Sequence, residues 1–255
     1  MTHAGVIVQL LSDLDCDHRN RSVHPDKAFA AWAKALQQAR EQKKRVYFVG
    51  NGPGASLASQ FAIDLGRRAH LHTEVFNDLA MMSAIANEIG YEWIFADPLR
   101  RRAAEGDLLV CLSTSGRSEN IIKAVELAAP LSVETISLTG SDADNPVRSK
   151  SELNFHVNAK SRGDAQVCFQ AIMNHAINLV QIDESQTSEI SYRDIYSEFG
   201  RPQAGSGDNP DPAFFLPGPH TGIRPPLLHR RRATTSVASR LRVVYPALLR
   251  LARGR

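Results

Sequence analysis

From Pro25 to Gln42 the apolar residues Phe29, Trp32, Ala33, Leu36 and Ala39 recur at helical spacing, with proline in the first turn and Lys43 and Lys44 at the far end. That pattern predicts an amphipathic helix. The period then changes. Arg45 to Gly50 is a short continuous apolar run, as expected of a strand buried on both faces, and a helical stretch follows the glycine-rich turn up to Leu65. The alternation repeats: a strand near Thr73 to Phe76, helical residues from Asp78 to Asn87, a strongly apolar strand from Asp107 to Leu112, and a helix from Glu119 to Ala128. Strands near Val133 to Leu138 and Leu153 to Val157 precede a last long helix, about 164 to 182. Strands alternating with helices predict an α/β fold, a doubly wound parallel sheet with right-handed crossovers, preceded by an N-terminal helical segment over 1–24. The turns after Gly50 and after Leu112 then both stand at carboxyl ends of strands, where ligands of such sheets bind.

Periodicity stops near Gly200. The boundaries that follow are a ligand-binding domain over 25–185, a linker over 186–200 and a Pro/Gly/Arg-rich tail over 201–255, for which proline and glycine density predicts disorder. A solvated basic tail and a frame-shifted, non-native terminus both fit that composition. Charge divides at the same place. Residues 201–255 hold ten Arg and two Asp, so the overall +3 hides a net −5 before the tail. A mildly acidic body suits a small-molecule enzyme and argues against nucleic acid as its partner. Cys16, Cys111 and Cys168 are too scattered for a disulfide framework or a CxxC metal site, which points to a reducing, cytoplasmic setting. The apolar run Val6 to Leu11 is far short of the roughly 20 residues that span a bilayer, so no membrane is expected as a partner.

Candidate chemistry concentrates in two turns. Ser113, Thr114, Ser115 and Ser118 place four hydroxyls within six residues where a strand passes into a helix, beside backbone N–H groups that favour an anion. They predict a phosphate site, although Ser118 would also serve as an ordinary N-cap. The turn Gly50 to Ala55 matches the GxGxxA form of a dinucleotide fingerprint, with Glu74 placed as a ribose-binding acid. It reads equally as a tight turn whose glycines admit a substrate to the backbone, and Pro53 removes one N–H that a pyrophosphate would use.

Taken together, the glycine turn at Gly50 to Gly52, Phe61 to Leu65, Ser83 to Gly90, the loop Ser113 to Asn120 and Ile136 to Gly140 resemble the SIS (sugar isomerase) domain. The match is collinear over roughly residues 25 to 183, and within the family it is nearest to the phosphoheptose isomerases. The resemblance implies a homo-oligomer, tetramer or dimer, that interconverts a ketose and an aldose heptose phosphate, with zinc in many members. It places phosphate or substrate binding on Asn51, Gly52, Ser113, Thr114, Ser115, Ser118, Glu88 and Asp164, and proton transfer on Asp64 and His175. It also implies a possible zinc site at Gln60, Asp64 and His175.

This chain departs from the family pattern at several positions. Gly54 replaces a serine, Gln60 a histidine ligand, Asp64 a glutamate and Glu88 an aspartate, while Val167 stands where a glutamine is expected and Gln166 lies one residue away. Gln60 and Asp64 are four residues apart and share a helical face. An amide oxygen is nevertheless a poor ligand for zinc, so such a site would be weak. The expected function is an aldose–ketose isomerase acting through a cis-enediol, most simply on sedoheptulose 7-phosphate. A non-catalytic phosphosugar or protein binder and a nicotinamide-dependent dehydrogenase are the alternatives.

Overall fold

Apolar runs and amphipathic helices alternate in the computed structural model much as their spacing dictates, and the structure describes residues 2–182. In chain order the elements are α1 (His3–Ser12), β1 (Asp15–His18), β2 (Arg21–Val23), α2 (Pro25–Glu41), β3 (Arg45–Gly50), α3 (Pro53–Ala69), β4 (His72–Val75) and α4 (Leu79–Glu88). Then follow α5 (Ala96–Arg102), β5 (Leu108–Ser113), α6 (Glu119–Ala128), β6 (Glu134–Gly140), α7 (Pro146–Lys150), β7 (Leu153–Val157) and α8 (Arg162–Val180). These lie in one unit, Met1–Glu198; a second, Phe199–Arg255, is outside the described residues. The expected linker and disordered tail therefore also fall outside them.

Seven strands form one sheet in the order β2-β1-β7-β6-β5-β3-β4. The five from β4 to β7 are parallel, and the antiparallel pair β1–β2 extends the sheet beyond β7. Alternate residues of each central strand enter different cores, so the apolar runs are continuous. Val46, Phe48, Val110, Ile136, Leu138 and Phe155 pack under α2, α3 and α8, against Phe29, Trp32, Phe61, Leu65 and Phe169. Tyr47, Val49, Leu109 and Cys111 face the opposite side, with Phe76, Phe95, Leu99, Ile121 and Val125.

The N-terminal segment differs from the expected helical stretch. Only α1 is helical there, capped by Thr2, whose hydroxyl accepts from the Gly5 N–H at 3.2 Å. A two-residue hairpin follows, with Arg19 and Asn20 both at positive φ, 52° and 58°. Hairpin turns of this hand require that backbone, and glycine is its usual sequence sign. Here Arg19 supplies no such sign, and the short polar strands have no apolar alternation to betray them. The hairpin is held from outside. Arg148 of α7 donates to Asp17 at 2.5 Å and Asp15 at 2.6 Å, while Cys16 is buried on the other face.

On the side facing α7 the sheet is polar. Asn154 donates to Ser137 at 2.8 Å and Thr139 at 3.1 Å, and Thr139 lies 3.1 Å from His156 Nδ1. All four side chains are buried, and His156 Nε2 has no partner among the described residues. Burial and the nearby Arg148 hold the His156 imidazole below its ordinary pKa, against the opposite pull of Asp15 and Asp17.

Candidate active site

The parallel order reverses between β3 and β5, which is where a crevice opens at the carboxyl ends of the strands. Both turns singled out in the sequence stand there. Gly50 closes the first: a Cβ on it would meet the Gly54 carbonyl group at 2.6 Å, so the strand can fold this tightly into α3 only without a side chain. Gly52 then takes the positive φ of 51° at the N-cap, and Pro53 occupies the first turn of α3, where its missing N–H costs no helical bond. Gly54 in turn lets α3 approach the end of β5, since a Cβ on it would stand 3.2 Å from the Leu112 carbonyl oxygen. The result brings the start of α3 beside the start of α6.

Between them lies a cavity of about 340 Å³ whose walls include Asn51, Ser113, Thr114, Ser115 and Ser118. The hydroxyl turn has an internal brace. Ser113 Oγ accepts from the Gly116 N–H at 3.1 Å, and Ser115 Oγ accepts from the Arg117 N–H at 3.3 Å. Gly116 has φ +61°, and a Cβ there would fall 1.9 Å from Asn145 Oδ1. Ser118 holds the N-cap position of α6, yet its side chain makes no capping bond. The capping alternative for that hydroxyl therefore falls away, and the hydroxyl belongs to the cavity wall. The start of α6 favours an anion here through its dipole, whereas at the start of α3 Pro53 has no N–H and those of Gly54 and Ala55 are already bonded to the Asn51 and Gly52 carbonyls.

One wall residue had no place in the sequence reading, and a second entered it only as the neighbour of Val167. Arg162, the first residue of α8, and Gln166 one turn later both line the cavity. Arg162 has no ion-pair partner within 4.0 Å among the described residues. A cation at a helix start opposes the dipole, and that mismatch was the available signal. Val167, the position compared with the family's glutamine, is exposed on another face of α8.

A second cavity of about 240 Å³ adjoins the first through Asn51 and is lined by Gly52, Ser59, Asn77 and Tyr91 among others. Asn77 fixes this side by donating to the Ala55 carbonyl at 3.0 Å and to Ser59 Oγ at 2.9 Å. Glu74, the acid of the dinucleotide reading, is instead paired with Arg102. That reading loses its ribose partner.

Other expected site residues are not in these walls. Asp64 on α3 and His175 on α8 are half-buried, on two helices that pack together. The His175 ring stands edge-on to Phe29 of α2, with centroids 4.5 Å apart. Burial lowers its pKa and nearby Asp26 opposes that shift, so neutral imidazole is favoured. Glu88 ends α4 in an exposed position. Asp164 lies in the first turn of α8, its carboxylate 3.6 Å from His3 Nδ1. The donor set Gln60, Asp64 and His175 does not fit a resident zinc ion. Gln60 is exposed and offers only an amide oxygen, a poor ligand for zinc, and no three His, Cys, Asp or Glu side chains gather for a metal among the described residues.

Comparison with known proteins bears on the same segments. The SIS domain pattern matches residues 21–140, which contain both turns. A phosphoheptose isomerase of Vibrio cholerae serotype O1 is 33% identical over 144 residues, 54% of this chain and 71% of that protein. The chain belongs to the SIS-domain family. Another relative, a phosphoheptose isomerase of Helicobacter pylori (strain Shi470), is 37% identical over 113 residues, but that match spans 59% of its length and 42% of this chain. The solved phosphoheptose isomerase of Francisella tularensis superposes with a TM-score of 0.61 at 25% identity, covering 70% of this chain and 92% of that one. The SIS match ends at Gly140, so Arg162, Gln166 and His175 lie beyond it. No helix among the described residues is long and apolar enough to cross a membrane.

Proposed function

We propose that this chain is an aldose–ketose isomerase acting on a phosphorylated sugar, with sedoheptulose 7-phosphate converted to D-glycero-D-manno-heptose 7-phosphate. The observation carrying the reading is the hydroxyl turn at the switch point, where Ser118 is free of capping and Ser113, Thr114 and Ser115 share a cavity with Asn51 and Arg162. Hydroxyls, helix-start N–H groups and a guanidinium together match a phosphate dianion. The names of the relatives support the substrate class.

Isomerisation moves one proton between carbons and one between oxygens. In the proposal Asp64 takes a proton from C1 of the open-chain ketose, the electron pair forms the C1–C2 double bond of a cis-enediol, and the returned proton lands on C2. His175, kept neutral by its burial, relays the proton from O1 to O2. No metal is required for either transfer.

Homo-oligomerisation belongs to the same proposal. Ile63, beside Asp64, and Val167, two turns before His175 on α8, are 60% and 46% exposed. A second copy covering these apolar residues would also close over the carboxylate and imidazole, which one chain leaves outside its cavity walls. The cytoplasmic setting accords with three free, buried cysteines.

A non-catalytic phosphosugar binder is the second reading, favoured by the position of Asp64 and His175 outside those walls. Incubation with sedoheptulose 7-phosphate in deuterated water, with and without zinc, decides between them by NMR. Aldose formation with deuterium at C1 or C2 supports the isomerase; binding without exchange supports the binder.

A further inference from the structure

The outer backbone of the hydroxyl turn is pinned to the segment that leads into α7. Buried Asn145, the N-cap of α7, accepts from the Arg148 backbone N–H at 2.9 Å and donates from Nδ2 to the Asp142 carbonyl at 2.8 Å. A backbone donor on one side and a backbone acceptor on the other fix which way this amide is turned. Asn145 fills the space that a side chain on Gly116 would need, and the Val147 N–H donates to the Gly116 carbonyl at 3.1 Å. Arg117, the next residue of the turn, donates from its guanidinium to the Asp144 carbonyl at 2.6 Å.

The five-residue α7 is too short to hold its own place, since one helical turn is marginal without tertiary contacts. Val147 anchors it to the core, and the largely buried Arg148 side chain donates to Asp17 at 2.5 Å and to Asp15 at 2.6 Å. Charge-assisted bonds to two carboxylates are strong and directional. The hairpin gains less from them, because β1 already pairs with β7 along four residues. The clasp therefore acts chiefly on α7.

We propose that Arg148 is a positioning residue for the phosphate site: by clasping Asp15 and Asp17 it fixes α7, and through Asn145 and Val147 it holds Gly116 so that the hydroxyl turn keeps its anion-binding shape. The inference rests on the phosphate assignment of that turn in the reading above. Asp15, Asp17 and Arg148 all lie outside the SIS match at 21–140, so anion affinity here depends on residues that the family pattern does not contain. A turn that is loose before binding must be ordered by the ligand, and that ordering subtracts from affinity.

Calorimetric titration of the full chain with inorganic phosphate, well below the melting temperature of each variant, tests the clasp without requiring turnover, so it stands apart from the isomerase reading. Asp17→Asn and Arg148→Gln should each weaken phosphate binding by about 3–20-fold. Arg148→Lys, which keeps the charge but not the fork, should fall between them and the wild type. Hydrogen exchange supplies the second measurement. The Gly116 and Arg117 amides, bonded to Ser113 Oγ and Ser115 Oγ, should exchange faster in the two stronger variants. Val46→Ala, a core truncation at the opposite end of β3, controls for lost stability and should change neither quantity. Full phosphate affinity in Asp17→Asn and Arg148→Gln, or an equal loss in Val46→Ala, would overturn the proposal. Should Arg148→Gln fail to fold by circular dichroism, Asp17→Asn carries the test, since it leaves Arg148 its bond to Asp15. A wild type that binds no phosphate removes the phosphate assignment and with it the role in binding; exchange then decides the brace alone, supported by faster exchange confined to the clasp variants and overturned by unchanged exchange.

Discussion

The hydroxyl turn Ser113–Ser118 and the flank where α3 packs on α8 are organised differently. The turn is braced by its own residues: Ser113 and Ser115 bind the N–H groups of Gly116 and Arg117, and the Val147 N–H donates to the Gly116 carbonyl at 3.1 Å. Its donors are in place before any ligand arrives. The flank carries Asp64 and His175 on separate helices, half-exposed beside apolar Ile63 and Val167, with His175 resting on Phe29. Anion binding can be built from one short stretch of chain because helix starts and hydroxyls supply it locally. Proton transfer to carbon needs groups from distant helices converging on one atom, and in the proposed mechanism a second copy completes that convergence.

The most severe way to break this contrast is to remove the flank's chemistry. Asp64→Asn and His175→Ala should each reduce turnover by roughly 10²–10⁴-fold while leaving phosphosugar binding nearly intact, measured by steady-state kinetics beside calorimetry. Unchanged turnover would take both residues out of the mechanism. The turn should fail differently. Gly116→Ala drives a Cβ into Asn145 at a positive φ, so stability should drop by roughly 2–4 kcal/mol in denaturant melts, with phosphate binding lost alongside it. Replacing two of Ser113, Ser115 and Ser118 with alanine should weaken phosphosugar binding by roughly 1.5–3 kcal/mol, and calorimetry showing full affinity would remove the phosphate assignment.

The smallest effect concerns pH. His156 and His175 both have pKa values held below the ordinary imidazole value, so the unfolded chain takes up protons at a higher pH than the folded one. Stability should therefore be constant well above pH about 6.5 and decline as pH falls through and below it. His156→Gln should flatten that decline in a series of thermal melts. A slope unchanged by the substitution would assign the acid sensitivity to other groups.

Much of the architecture was legible because burial on both faces leaves a plain mark. The apolar runs at Arg45 to Gly50 and Leu153 to Val157 are strands with those same limits, and the helix from Glu119 to Ala128 has those ends. The hydroxyl turn was legible for a related reason: four hydroxyls in six residues exceed what capping uses. The hairpin β1–β2 was not, since Asp15, Asp17 and Arg148 meet from 131 or more residues apart and no local pattern reports such a pairing. Arg162 was hidden in the same way, its place in the cavity wall depending on where α8 begins relative to β5.

The residues by themselves determined the alternation of strands and helices after Pro25 and the place of the two turns, because these depend on neighbours in the chain. Which side chains share a wall was decided by tertiary structure alone. Gly50 and Gly54 allow α3 to close on β5, that approach sets Asn51 against Asn120, and the packing of α8 on α2 turns His175 toward Phe29. Each is a contact between segments far apart in sequence, fixed by backbone clearance and burial, for which spacing along the chain carries no record.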